Sequence, residues 1–152
     1  MSENILEKII KNKEKKIDLL KENVSIESLK IKIEENKSFV NFKEIIESNE
    51  SKDKISIIAE IKKASPSAGI IIENYDPVNI ANVYNKNKAT CLSVLTEEDF
   101  FLGNLLHISK IKQKITLPIL CKDFFVDKFQ VYLARSYGSD AILLILAGVS
   151  DE

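Results

Sequence analysis

A chain of 152 residues is long enough for one domain with a substantial core, and 45% hydrophobic with 30% charged residues is an ordinary globular composition. Its net charge of −1 gives no electrostatic footprint for nucleic acid, so no such partner is expected. No apolar run reaches the roughly 18 residues needed to cross a bilayer. The most hydrophobic segment, 141–149, is far shorter, and the apolar run at 5–10 is broken by Glu7 and Lys8, unlike a signal peptide. A cytoplasmic protein with no membrane partner is expected.

Residues 1–50 are rich in Lys, Glu, Asn and Ile. Ile5, Leu6, Ile9 and Ile10, then Ile17, Leu19 and Leu20, recur at helical spacing. They predict an amphipathic helix whose charges form a solvated outer face. Ser25 is placed to cap a second helix reaching about Asn36, although Ser28 leaves its capping box incomplete. A short third helix is expected at 42–46. Such a helical segment needs a surface to pack on, and the end of a barrel is one.

From residue 54 the pattern alternates. Strand-like 56–62 leads to a helix over 77–87, entered through Asp76 as cap with Pro77 in the first turn. Strand-like 90–96, a loop at 97–103, a helix from 104 to 114 and strand-like 117–121 follow. A helix from 127 to 137 is closed by Gly138, and 140–147 reads as a last strand. This β-α-β-α-β-α-β order gives a parallel sheet through right-handed crossovers. A doubly wound open sheet and part of a TIM barrel both satisfy it.

The strand ends carry the chemistry. Glu60 and Lys62 are two apart at the end of the first strand, so they share a face. Charges there are costly unless paired or used. Pro66 and Gly69 then break the strand into a Ser-Pro-Ser-x-Gly loop. Thr96 ends the second strand, and Lys122 and Asp123 end the third. Chemistry at the carboxyl ends of strands is the TIM-barrel arrangement. No Gly-x-Gly-x-x-Gly follows the first strand, which argues against a dinucleotide site. Cys91 and Cys121 lie in apolar runs and read as buried thiols, and no Cys/His cluster has metal-site spacing. His107, the one histidine, reads as a partly buried helix residue.

Five blocks together resemble the indole-3-glycerol-phosphate synthase family. They are Ile58-Ala59-Glu60-Ile61-Lys62-Lys63-Ala64-Ser65-Pro66-Ser67, Ser93-Val94-Leu95-Thr96, Phe100-Phe101-x-Gly103, Pro118-Ile119-Leu120-Cys121-Lys122-Asp123-Phe124 and Asp140-Ala141-Ile142-Leu143-Leu144-Ile145. The resemblance implies an α/β chain of the TIM (β/α)8 barrel family. Residues 1–50 would form an amino-terminal helical extension over the active-site end, and 51–152 the first half of the barrel. It implies a carbon-carbon lyase of tryptophan biosynthesis that needs no metal or organic cofactor. The substrate would be a phosphorylated small molecule, 1-(2-carboxyphenylamino)-1-deoxyribulose 5-phosphate, closed to indole-3-glycerol phosphate with loss of CO2 and water.

By the same resemblance Lys122 would be the general acid at the substrate carbonyl. Lys62 would hold the carboxylate, and Glu60 would move a proton in dehydration. Ser65 would line the substrate and phosphate side, while Phe101, Phe124 and Leu143 would form the slot for the aromatic ring. Asp123 is expected to be structural. The chain departs from the family at Ala68, where Lys is common, and at Lys88, where Gly often precedes Ala89.

A TIM barrel needs about 250 residues and eight strands. Four are found here, so the expectation is an amino-terminal fragment without normal activity. The alternative is a half-barrel assembly module that dimerises through its exposed strand edges or complements a separate second half. A phosphate-handling enzyme on a doubly wound sheet is a third reading.

Overall fold

The computed structural model describes residues 4–36 and 38–146. Three helices open the chain: α1 (Ile5–Asn23), α2 (Ile26–Glu35) and α3 (Phe42–Glu50). Each begins at a side-chain cap. Asn4 accepts from the Leu6 N–H at 3.3 Å, Ser25 from Ser28 at 3.1 Å and Asn41 from Glu44 at 3.2 Å. Such caps satisfy amide groups that the first helical turn leaves without partners. The third helix runs four residues beyond the expected Ile46.

The barrel-like part follows as β1 (Ile58–Ile61), a hairpin of β2 (Ala64–Ser65) and β3 (Gly69–Ile70), α4 (Pro77–Lys86), β4 (Cys91–Leu95), α5 (Leu106–Lys112), β5 (Ile119–Lys122), α6 (Phe129–Ser136) and β6 (Ala141–Ile142). β1, β4, β5 and β6 form one parallel sheet in that order. A doubly wound sheet reverses its strand order at a switch point; this one adds each strand beside the last.

The register sorts the side chains by face. Ile61, Val94, Cys121 and Ile142 lie in one row, with Leu92 and Ile119 paired in the row below. These residues pack with Ala81, Ile108, Ile111 and Ala134 from α4, α5 and α6 into the main core. The opposite face carries Glu60, Ser93, Leu120 and Lys122. Helices on one face of a sequentially ordered parallel sheet make a barrel wall and separate the two architectures left open by the sequence.

Two strand expectations change. The Ser-Pro-Ser-x-Gly stretch folds into the β2–β3 hairpin, with Gly69 at φ +65° at its close. The last strand is short. The ladder of β6 reaches only as far as β5, which ends at Lys122, and the Leu143 N–H still donates to the Cys121 carbonyl at 3.2 Å. Ala147, the expected end, lies outside the described residues.

α4 and α6 close in the same way. The Ala89 N–H donates to the Tyr84 carbonyl and the Lys88 N–H to Asn85; Ser139 and Gly138 repeat this pair of bonds onto Ala134 and Arg135. This Schellman arrangement requires a left-handed residue. Gly138 supplies it at φ +100°, as predicted, but Lys88 adopts φ +64° with a full side chain.

The three opening helices are not a detached unit. Ile17 and Leu29 share a core with Phe129 of α6. Arg135 reaches the Asn36 carbonyl at 3.2 Å, and the Val40 N–H donates to Asp140 at 2.9 Å. The segment therefore runs down the outside of α6, from the carboxyl end of the sheet to its amino end.

Candidate active site

Glu60 ends β1 on the open face, where its carboxylate is shared by two ammonium groups. Lys62 Nζ stands 2.8 Å from Oε1, and Lys122 Nζ, from β5, bonds to Oε2. The long side chains of Glu60 and Lys122 meet across the intervening strand β4. All three side chains remain about one-third exposed. Burial opposes the Glu60 charge, but the bonds to Lys122 and Lys62 prevail and hold its pKa below the ordinary glutamate value. The result is a wet cluster of one fixed anion and two cations, open to a ligand.

Phe101, from the loop after β4, and Phe124, just after β5, stand beside each other with ring centroids 6.2 Å apart at 40°. Ser65 Oγ accepts from the Ala68 N–H at 3.2 Å and lies 3.4 Å from Ser67 Oγ, so its hydroxyl is engaged in its own turn. Leu143 is half-buried just beyond β6. The structure thus joins Glu60, Lys62 and Lys122 directly and pairs the two phenylalanines. Ser65 lies in the β2–β3 hairpin that follows the carboxyl end of β1, and Leu143 lies just past the carboxyl end of β6.

Two supporting residues, Glu97 and Gln130, were not singled out from the sequence. Glu97 is 2% exposed, and its carboxylate accepts the N–H groups of Asp99, Phe100 and Phe101 at 2.7–3.1 Å. It fixes the loop that carries Phe101. Gly103 closes that loop, and a Cβ there would stand 2.4 Å from the Leu95 carbonyl oxygen. Gln130 accepts from Val126 and Asp127 and donates to the Phe124 carbonyl at 2.9 Å, tying down the other aromatic residue. An acceptor side chain just before a turn is the signal that could have marked Glu97.

The solvated-face expectation for the first helix fails at Lys13. It lies on the buried stripe between Ile9 and Ile17 and is 4% exposed. Its ammonium meets Asp123 Oδ1 at 2.9 Å and Glu98 Oε2 at 3.2 Å. Thr96 also turns away from the wet cluster: it is fully buried, and its hydroxyl donates to Asp123 Oδ2 at 2.7 Å. Burial disfavours charge on both partners. At Lys13 two carboxylates overcome it and raise the pKa above the ordinary lysine value; at Asp123, with one ammonium, burial wins and raises the carboxyl. A cavity of about 350 Å³ lies beside this pair, beneath α1, and is walled by Ile17, Leu20, Phe125 and Leu133.

The family model for indole-3-glycerol phosphate synthase matches residues 6–152. The chain belongs to the indole-3-glycerol phosphate synthase family. Proteins of that name from Trichodesmium erythraeum (strain IMS101) and Microcystis aeruginosa (strain NIES-843 / IAM M-2473) are 43% identical to it over 149 and 150 residues, covering 98% and 99% of this chain and 50% of each relative. The relative from Acaryochloris marina (strain MBIC 11017) is also 43% identical, with 98% of this chain and 48% of the relative covered. The chain therefore spans about half the length of these curated relatives. The synthase family fold is the TIM barrel, and the four parallel strands are consecutive units of its wall.

The cysteines and the histidine of this synthase-family chain fit packing roles. Cys91 and Cys121 are free and buried, and burial pushes their thiols up to about 11 and about 12. His107 is half-buried in α5, its pKa lowered by burial and by Lys110 and Lys63. No helix among the described residues is long and apolar enough to cross a membrane.

Proposed function

We propose that this chain carries the lysine-bearing part of an indole-3-glycerol-phosphate synthase site, with residues 1–50 as the helical extension and 51–152 as the first part of the barrel. The observation that supports this best is the Glu60 carboxylate shared by Lys62 and Lys122 at the carboxyl ends of β1 and β5. In the reaction a ring carbon bonds to the ketone carbon of the sugar chain. Its carboxylate leaves as CO2, and the ketone oxygen leaves as water. Lys122 gives its proton to the ketone oxygen as the carbon–carbon bond forms. Lys62 binds the substrate carboxylate as a cation, and Glu60 takes and returns a proton as water departs. The aromatic ring lies against Phe101, Phe124 and Leu143, because a flat apolar ring needs an apolar wall. Ser65 lines the phosphate side.

The test is turnover of the carboxyphenylamino sugar phosphate. It is measured with the 152-residue chain alone and mixed with the half of the Trichodesmium relative that it does not cover. Turnover in the mixture, falling by about 10²–10⁴-fold in Lys122→Ala, is the expected result. Turnover that survives Lys122→Ala, or none in either case, refutes the proposal.

A second reading rests on exposed apolar residues at the two sheet edges. Ile57 and Ile58 are 54% and 47% exposed at one edge, and Leu144 and Leu146 are 58% and 84% exposed beyond the other. Edges of this kind pair with other chains. Under this reading the chain is an assembly module, and its mass in solution is that of a dimer. A monomer at high concentration dismisses it.

A further inference from the structure

Lys122 and Asp123 are neighbours at the end of β5 that turn to opposite sides of the sheet. Lys122 joins Glu60 on the open face, and Asp123 enters the dry side beneath α1. Resting on the lysine reading above, we infer that Lys13 is a positioning residue for the active site. It acts through Asp123 to fix where Lys122 and Phe124 stand.

The grip on this strand end has three parts. Thr96 holds two successive residues at once: its N–H donates to the Lys122 carbonyl at 3.1 Å and its hydroxyl to Asp123 Oδ2 at 2.7 Å. Cys121 Sγ sits 3.3 Å from the same hydroxyl; since that proton goes to Asp123, the thiol is the donor there. The other Asp123 oxygen accepts the Phe124 N–H at 2.8 Å and meets Lys13 at 2.9 Å. The carboxylate is thus bound by the strand before it, the residue after it and a helix about 110 positions earlier in the chain. The side chains of Lys13 and Asp123 are 5% and 8% exposed, so water does not take over either bond.

A buried ion pair gains little stability over an apolar pair, and its best-attested use is to specify one arrangement. Here the specified arrangement is the direction of the chain at 122–124. Lys13 also reaches Glu98, which follows Glu97 at the root of the Phe101 loop. One buried ammonium therefore references both aromatic loops to α1. The helical extension becomes part of the site without touching substrate.

Four variants of the full chain test this: Lys13→Met, Lys13→Arg, the double change Lys13→Met with Asp123→Asn, and Lys16→Met as control. Lys16 bonds to Glu98 and Asp99 from the same helix face but not to Asp123. The first readout is the side-chain NMR resonances of Lys122 and Phe124 in the chain itself. The second is kcat and KM with the complementary half of the relative present. Both Lys13→Met and the double variant should shift the Lys122 and Phe124 resonances. Both should lower kcat by about 10²-fold with KM little changed, the scale of a displacement of about 1 Å. Lys13→Arg should restore most of kcat, and Lys16→Met should leave both readouts as they were. If Lys13→Met fails to fold, the double variant, which leaves no lone buried charge, decides the matter. Unmoved resonances in a folded Lys13→Met or double variant overturn the inference and leave only a clamp that holds the fold. Absence of turnover in the unsubstituted protein refutes the synthase proposal, while the resonances still decide this one.

Discussion

Two ionic clusters sit one residue apart at the end of β5, and they are built on opposite terms. The Glu60–Lys62–Lys122 cluster is about one-third exposed, so its charges are screened and reachable. The Lys13–Asp123 cluster is nearly dry and bound by Thr96, so it has a single geometry. The difference follows from strand alternation: neighbours on a strand face opposite sides, and here one side is open while α1 covers the other. A site that must admit a charged ligand keeps its cluster wet. A joint that must hold one shape keeps its cluster dry.

The largest expected effect tests the dry cluster. Lys13→Met leaves a buried carboxylate without its cation and should cost about 3–5 kcal/mol in urea unfolding. Adding Asp123→Asn should recover much of that loss, because no lone buried charge remains. Equal losses in the single and double variants would break the comparison. Gly103→Ala comes next. Its Cβ would collide with the Leu95 carbonyl oxygen, and the backbone beneath the Phe101 loop would have to move. Thermal denaturation should show a loss of about 1–3 kcal/mol.

Lys88→Gly should stabilise the chain by about 0.5–1 kcal/mol, because it relieves a left-handed lysine at the end of α4 while sparing both clusters. Glu60→Gln belongs at the small end for stability, within about 1 kcal/mol, since exposed pairs contribute little. The two clusters also differ in pH response. The folded pKa of Glu60 is lowered, so its contribution is present above the unfolded value near 4.5 and is lost as pH falls through the folded one. The folded pKa of Lys13 is raised, so its contribution is present below 10.5 and is lost as pH rises through the folded value. Unfolding followed from pH 3 to 11 should lose its acid-side slope in part in Glu60→Gln and its alkaline-side slope in part in Lys13→Met. Identical profiles would erase the distinction.

Much of this molecule was legible before the fold was known. Hydrophobic period and turn residues marked every main helix and strand, because local propensity and burial act over a few residues. Asp76, Ser25 and Gly138 cap where they were expected to. The pairing of Glu60 with Lys62 was readable from their spacing of two. Only the strand order, adding each strand beside the last, made the sheet a barrel wall, since the number and order of elements along the chain suit both architectures. Only the tertiary structure joined Lys122 to Glu60, 62 positions away. It alone withdrew Lys13 from solvent. A lysine among five others in the first helix carries no mark of its partner until α1 is laid against the end of β5, because burial is a property of the surface a residue meets and not of the residue.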